Sequence, residues 1–271
     1  MKKYFKIEIK TSSSEEAEML IAELSGIHFY AFEEEDGWLM AYINDEDFDE
    51  QKLKEILPPD FAFTKKTIEE ENWNQQWENS IEPVVINAFA AVRPSFSEPI
   101  NNVKFDLVIT PKMSFGTGHH ATTHLMIEMM EDIDFKNKSV IDFGTGTGVL
   151  AILSEKLGAS KITGIDLDDW SIANASENVG ANNCHRIILK QQSDLEGIEP
   201  AGILLANINL NVLKSCVSSI AASTKMGSFF LASGFLLNDE TEIQNVFEEA
   251  GFIKDRTRQL NGWLAVLFKK K

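Results

Sequence analysis

Ser139-Val140-Ile141-Asp142-Phe143-Gly144-Thr145-Gly146-Thr147-Gly148-Val149-Leu150 decides how the rest of this chain is read. It holds a short apolar strand ending near a carboxylate, a glycine-rich turn, and the start of a helix whose apolar residues are Val149, Leu150, Ile152, Leu153 and Leu157. Strand, glycine turn and helix in that order form a nucleotide-binding crossing of an α/β protein. Glycines at alternate positions tolerate φ > 0, and their missing Cβ atoms predict bare main-chain amides on which a ligand can rest. The dinucleotide fingerprint G-x-G-x-x-G sets a helix N-terminus against a pyrophosphate. Here the spacing is G-x-G-x-G, and Asp142 stands two residues before the first glycine. A carboxylate there suits a ligand end carrying positive charge, an ammonium or a sulfonium. Both features argue against a nicotinamide-dependent oxidoreductase, although a glycine-rich turn by itself also occurs in other α/β proteins.

Downstream, Lys161 to Asp166 reads as the next strand and ends in an acid 22 residues beyond Gly144. From that position a carboxylate can accept both hydroxyls of a ribose. Asp168-Asp169 caps a helix through Ile172, Ala173, Ala175 and Val179. Strands at Arg186 to Lys190 and Ile203 to Ile208 follow, the second closing on Ala206-Asn207-Ile208-Asn209. An asparagine at a carboxyl strand end beside the switch point lies where Rossmann-like folds place their chemistry. A helix at Val212 to Ala222, a strand at Ser228 to Ser233 and a helix at Glu240 to Ala250 come next. The chain finishes on strands near Phe252 to Thr257 and Trp263 to Phe268 with no helix between them, which predicts an antiparallel hairpin insert.

Upstream, Thr110 to His124 is a loop leading into a helix that carries Leu125, Met126, Met129 and Met130. It lacks the lysine of G-x-x-x-x-G-K-[ST], so phosphate cradling is not expected. His120 and His124 are four apart, but there is no H-E-x-x-H glutamate and no third ligand, so no metal is expected. The segment reads as a flexible flap able to close over a ligand. Before it, Val84 to Ile86, Ala90 to Val92 and Lys104 to Thr110 predict a small hairpin.

The first quarter has its own pattern. Tyr4 to Ile9 alternates as a strand, and Ser12-Ser13-Ser14 caps a helix that Gly26 ends. Strands at His28 to Glu33 and Trp38 to Ile43 flank an Asp-Gly turn, a helix runs from about Glu46 to Leu57, and Phe61 to Ile68 is a last strand. The order β-α-β-β-α-β is the ferredoxin-like arrangement. His28 stands alone there, and no catalytic constellation accompanies it. The expected organisation is a small α+β ferredoxin-like recognition domain over 1–68, a linker helix over 69–82 and a Rossmann-like domain over 83–271. Trp73 and Trp77 lie four apart on the linker, either packed against one domain to fix the linker angle or in contact with ligand.

The net charge of −17 argues against a protein that tracks nucleic-acid phosphates. Residues 1–64 hold 6 Lys/Arg and 16 Asp/Glu, a net of −10, whereas the remainder holds 19 and 26, a net of −7. That acidic front either steers a basic partner or is simply well solvated. Two cysteines give no disulfide framework, no apolar run approaches a membrane span, and no signal peptide is evident. A cytoplasmic monomer is expected.

Asp142-x-Gly144-x-Gly146-x-Gly148, Asp166 and Asn207 together resemble the seven-stranded Rossmann-like methyltransferases that use S-adenosyl-L-methionine. With the flap Phe115-Gly116-Thr117-Gly118-His119-His120-Ala121-Thr122-Thr123, the two-tryptophan linker and the acidic front domain, the whole chain is similar to the bacterial methyltransferases of ribosomal protein eleven of the large subunit. The resemblance implies that Thr123, Gly144, Asp166 and Asn207 contact the cofactor; local physics adds Asp142 and Gly146. It also implies methyl transfer to lysine side chains and the N-terminal α-amine of that protein; with no dedicated base in sight, desolvation in a closed pocket, with solvent taking the proton and Asn207 orienting the amine, is the expected mechanism. The run Asn207-Ile208-Asn209-Leu210 lacks the Asn-Pro-Pro-aromatic signature of enzymes that methylate planar amides or adenine. A methyltransferase of another protein or a small amine, and a non-catalytic cofactor-binding protein, are the alternatives.

Overall fold

In a computed structural model of the chain, the described residues are 3–35, 37–58, 61–69, 82–110, 112 and 114–271. The chain divides into two compact units, Met1–Gln76 and Trp77–Lys271. Residues 70–81, with both linker tryptophans, lie outside the described residues.

Period-two alternation in the front unit puts Ile7 and Ile9 of β1 (Lys3–Lys10) on the same face as Leu39, Ala41 and Ile43 of β3 (Trp38–Asn44). Helices α1 (Ser14–Ser25) and α2 (Glu50–Ile56) cover that face through Leu20, Leu24 and Leu53. Ser13 caps α1 by accepting from the Glu16 amide, and Asp49 caps α2 through the Gln51 and Lys52 amides. With β2 (Ala31–Glu35) and β4 (Phe63–Glu69) the sheet order is β2-β3-β1-β4, antiparallel throughout. The second helix starts four residues later than its pattern suggests, because Asp45–Asp47 forms a separate 3-10 turn.

In the second unit, β5 (Val84–Ile86), β6 (Ala90–Arg93) and β7 (Phe105–Val108) form a small sheet. Only β5 and β6 make the expected hairpin; β7 pairs parallel to β6, because Pro94 ends β6 and the long return brings β7 back in the same direction. Helix α3 (Ala121–Met130) follows and is buried on nearly every side.

The main sheet consists of β8 (Ser139–Phe143), β9 (Lys161–Asp166), β10 (Ile187–Gln191), β11 (Ala201–Asn207), β12 (Thr224–Leu236), β13 (Phe252–Leu260) and β14 (Trp263–Lys270). Its order is β10-β9-β8-β11-β12-β14-β13. The first five strands run parallel, and β14 inserts antiparallel between β12 and β13, the hairpin insert expected from the missing last helix.

Helices α4 (Val149–Lys156) and α5 (Asp169–Ala181) pack with α3 against one apolar face, and α6 (Leu210–Ser215), α7 (Val217–Ser223) and α8 (Glu240–Glu249) against the other. The single helix expected over 212–222 is two, broken at Cys216, which is the C-cap of α6 and the N-cap of α7. Phe230, Phe247, Phe252 and Phe268 form one buried aromatic cluster that ties the hairpin to α8. Each such ring contributes about 1.5–3 kcal/mol by burial. Among the described residues, no helix is long and apolar enough to cross a membrane.

Candidate active site

The parallel order puts β8 between β9 and β11, so the turn after β8 is flanked by the carboxyl ends of both neighbours. Asp166 therefore reaches it from one side and Asn207 from the other. This is the switch point of an open α/β sheet, where connections leave in opposite directions and open a crevice.

Within the turn, the main-chain amides are not bare. Gly144 and Thr145 both donate to Ile165 C=O at 2.8 Å, Gly146 donates to Asp166 Oδ2 at 2.8 Å, and Thr147 donates to Phe115 C=O at 2.9 Å. The space beside the glycines is likewise filled by protein. A Cβ at Gly144 would lie 2.3 Å from Ile208 Cγ2, one at Gly146 would lie 2.3 Å from Phe115 O, and one at Gly148 would meet Ala175 Cβ at 3.2 Å. The expectation that a ligand rests on these amides is thus corrected: the glycines let β9, the Asn207–Asn209 strand end, the flap and α5 close in on the turn. Gly144 and Gly146 shape the crevice by what they leave out.

Asp142 holds the turn from inside. Its Oδ2 accepts from Thr145 Oγ1 at 2.6 Å and from Ala151 N at 3.1 Å, so it caps α4, whose N-cap residue Gly148 has no side chain to do so. It is fully buried, and among the described residues Oδ1 has no partner. Desolvation pushes its carboxyl up to about 7, against the pull of the Thr145 and Ala151 bonds and with a further push from Asp166. Through Oδ2, Asp142 fixes the loop from within.

The sign of the resulting pH effect follows. The folded state binds the Asp142 proton more tightly than the unfolded chain does, so ionising this group costs stability progressively from about pH 4 to pH 7. Asp142→Asn, which keeps an acceptor for Ala151, lacks that cost. Its unfolding midpoint in urea should rise relative to the parent between pH 5 and pH 8; an unchanged difference across that range would contradict the burial argument.

Asp166 is half-buried, with Oδ2 bonded to Gly146 N and Oδ1 to Asp168 N at 3.1 Å. A carboxylate has about four acceptor positions, so two are still open to a diol. Asn207 Nδ2 lies 3.3 Å from Thr123 Oγ1, which joins the first turn of α3 to the end of β11 across 84 residues of sequence. Thr123 is fully buried, and Asn207 Oδ1, also buried, has no partner among the described residues. A buried acceptor without a donor costs about 1–3 kcal/mol.

The flap is fastened at several points. Thr147 Oγ1 donates to Gly116 C=O at 2.7 Å. The His120 ring packs edge-on between Phe115, at 5.1 Å, and Trp263, at 4.7 Å. His120 also caps α3: its Nδ1 accepts from Thr122 N at 3.3 Å and pairs with Thr122 Oγ1 at 2.8 Å. That nitrogen is occupied, and among the described residues no group of three or more His, Cys, Asp or Glu side chains is placed to hold a metal ion.

Sequence reading brought Thr123, Asp142, Gly144, Gly146, Asp166 and Asn207 forward; Thr123 meets Asn207, Gly146 meets Asp166, and Asp142 lies buried beneath the turn that holds Gly144. It missed Asn178, whose Nδ2 donates to Thr147 C=O at 2.9 Å, and Trp263, which backs His120. Asn174, Asn178 and Asn182, four apart on a helix with apolar neighbours, were a legible signal for the first; nothing local marks the second.

A seven-stranded sheet with its last strand inserted antiparallel, a glycine turn after the first strand and an acid ending the second define a Rossmann-like methyltransferase. Residues 3–271 match the family model described as "Ribosomal protein L11 methyltransferase (PrmA)", and the chain belongs to that family. It is 35% identical to the ribosomal protein L11 methyltransferase of Phocaeicola vulgatus over 280 residues, covering 99% of this chain and 100% of that protein. With the Porphyromonas gingivalis protein of the same name it shares 36% identity, over 93% of this chain and 90% of the other. The crystal structure of the ribosomal protein L11 methylase from Lactobacillus delbrueckii subsp. bulgaricus superposes with a TM-score of 0.65 at 24% identity, covering 70% of this chain and 100% of that one, and shares its fold.

Proposed function

We propose that this protein transfers methyl groups from S-adenosyl-L-methionine to amines of ribosomal protein L11, at lysine side chains and the N-terminal α-amine. The observation that carries the reading is the Thr123–Asn207 pair with its unfilled acceptor, set beside the glycine turn and opposite Asp166. Bound in the crevice, S-adenosyl-L-methionine supplies an electrophilic methyl on a sulfonium. Asp166 would accept the ribose hydroxyls at its two open positions. The Thr123 hydroxyl accepts from Asn207, which leaves its own hydrogen free to donate to the amino-acid end of the cofactor.

A lysine amine has an ordinary pKa of about 10.4 and attacks only when neutral. Asn207 Oδ1 would accept one N–H of the incoming amine and so orient its lone pair. When bound, the cofactor would supply the methyl and keep the carbon–sulfur electron pair as a neutral thioether, and the amine's surplus proton would leave to solvent. Mass spectrometry of L11 incubated with the protein and the cofactor tests this directly. Methyl-sized increments on lysine or the N-terminus are expected; modification of another residue type alone would overturn the amine assignment.

Recognition of the protein substrate is assigned to the front unit. The sheet face opposite α1 and α2 carries Tyr4, Tyr42 and Trp38 beside Glu33 and Glu35, and Tyr42 donates to Glu33 at 2.8 Å. Aromatic rings amid carboxylates suit a basic protein surface. Reversing charge with Glu33→Lys and Glu35→Lys together should raise KM for L11 about tenfold at low salt. The rise should shrink at high salt, with kcat and cofactor affinity unchanged. An unaltered KM at low salt would remove the front unit from recognition.

A further inference from the structure

Along β12, side chains alternate between the two apolar cores. Phe230 and Ala232 lie in the core under α6, α7 and α8, and Leu231 in the one under α3, α4 and α5. A period of two would put Phe235 on the same side as Leu231. It lies instead with Phe230 and is fully buried there. The cause is one extra residue: Ser233 pairs with Ala265 and Phe235 with Leu264, which leaves Gly234 between them as a β-bulge. Its φ is +102, a value that glycine adopts without strain.

The bulge sits against the strand end that carries Asn207. β11 pairs with β12 as far as Asn207 and Ser233, and Ile208 N–H then donates to Ser233 C=O at 3.1 Å. Asn209 already belongs to the next element, accepting from Val212 N–H as the N-cap of α6. Ile208 is therefore the single residue between the strand that ends on Asn207 and the helix that follows. It is gripped on two sides. A Cβ at Gly234 would overlap the Ile208 carbonyl oxygen and lie 2.6 Å from the carbonyl carbon and 3.0 Å from the nitrogen. On the other side, Ile208 Cγ2 fills the space beside Gly144. One glycine admits the Ile208 main chain, the other its side chain.

We propose that Gly234 is a positioning residue for methyl transfer. By letting β12 close on the Ile208 peptide, it fixes the backbone of Asn207 and with it the place of Oδ1, which is buried and has no partner among the described residues. The bond from Nδ2 to Thr123 sets the rotation of that amide, and the grip on Ile208 sets where its Cα stands. Bulges beside active sites re-aim a side chain in this way. This role rests on the assignment of Asn207, above, as the group that orients the substrate amine.

Gly234→Ala in the full chain tests it, with Gly227→Ala as the matched control. Gly227 also lies on β12, at φ +73, but an added Cβ there meets nothing within 4 Å. Both variants carry the cost of an alanine at positive φ, and only Gly234→Ala displaces the Ile208 peptide. Single-turnover methylation of L11 should be about 100-fold slower in Gly234→Ala. Its KM for L11 and its Kd for S-adenosyl-L-methionine should each stay within about fivefold of the parent. The side-chain amide resonance of Asn207 should move in that variant alone, and Gly227→Ala should keep the parent's rate, KM and Kd. A merely structural glycine would lower the melting temperature and leave the rate of the folded protein intact; equal rates in the two variants overturn the proposal. If Gly234→Ala does not fold, Ile208→Ala decides. It releases the Gly144 side of the grip without crowding the backbone and should slow transfer about tenfold with cofactor binding kept; an undiminished rate overturns the proposal. A parent that transfers no methyl to L11 overturns the functional reading and this role with it, whereas equal transfer by the parent and Gly234→Ala overturns this role alone.

Discussion

Asn207→Ala folds, binds S-adenosyl-L-methionine within about fivefold of the parent, and transfers methyl groups at least ~100-fold more slowly. The separation of binding from turnover follows from which atoms are lost. Nδ2 is bonded to Thr123, inside the wall of the crevice, whereas Oδ1 has no partner among the described residues. Removing a buried acceptor that nothing satisfies costs the folded state little, since its desolvation is already a net cost. The substrate amine, by contrast, loses the group that fixes its lone pair, and misplacement by about 1 Å can cost 10²-fold. Single-turnover kinetics with L11, together with cofactor calorimetry, check both halves. Undiminished turnover with intact binding would take Asn207 out of the mechanism. Thr123→Val should behave differently: it loses the donor proposed for the cofactor and should weaken cofactor binding more than it slows transfer.

Gly146→Ala has the second large effect, and it acts through the flap. Gly146 has φ +53, and an added Cβ would sit 2.3 Å from the Phe115 carbonyl oxygen. That neighbour is backbone, so it cannot rotate aside as a side-chain tip could. Relief requires Phe115 to leave Thr147 N, and Gly116 then leaves Thr147 Oγ1. Two hydrogen bonds of about 1 kcal/mol each, plus about 1 kcal/mol for a left-handed alanine, are at stake. The thermal midpoint should fall by several degrees. Cofactor affinity should fall much further, by ~100-fold, since the wall that closes the crevice is displaced. Gly180→Ala is the matched control: it lies in α5 with nothing within 4 Å of its added Cβ, and should be neutral or up to about 1 kcal/mol more stable. Equal cofactor affinity in Gly146→Ala and the parent would refute the crowding argument.

The two variants bear on how far the chain can be read without its fold. Hydrophobic period and turn chemistry are local, so the alternation of β1, the cap of α1, the strand before Asp142 and the closing hairpin were all legible. Residues at carboxyl strand ends were legible too, because strand polarity follows from chain direction once a parallel sheet is granted. What the glycines do was not legible. Their spacing announces a tight crossing but is silent on which atoms fill the space, and Ile208, Phe115 and Ala175 come from three separate parts of the chain. Likewise Asp142 reads as a counter-charge when its neighbours are unknown, and becomes a helix cap once Thr145 and Ala151 are placed around it.

By itself, then, the sequence determined the order of elements, the α/β class with a small acidic α+β unit in front, and the strand–turn–helix crossing around which Asp142, Gly144, Gly146, Asp166 and Asn207 were singled out. Thr123 entered only by resemblance. The tertiary structure decided that Thr123 meets Asn207, that the turn's amides are spent on β9, Asp166 and the flap, and that Asn178 of α5 joins Thr110 to the glycine turn. The physical reason is range. Propensities and periods act within about ten residues, whereas a hydrogen bond between residues 84 apart depends on the packing of everything between them.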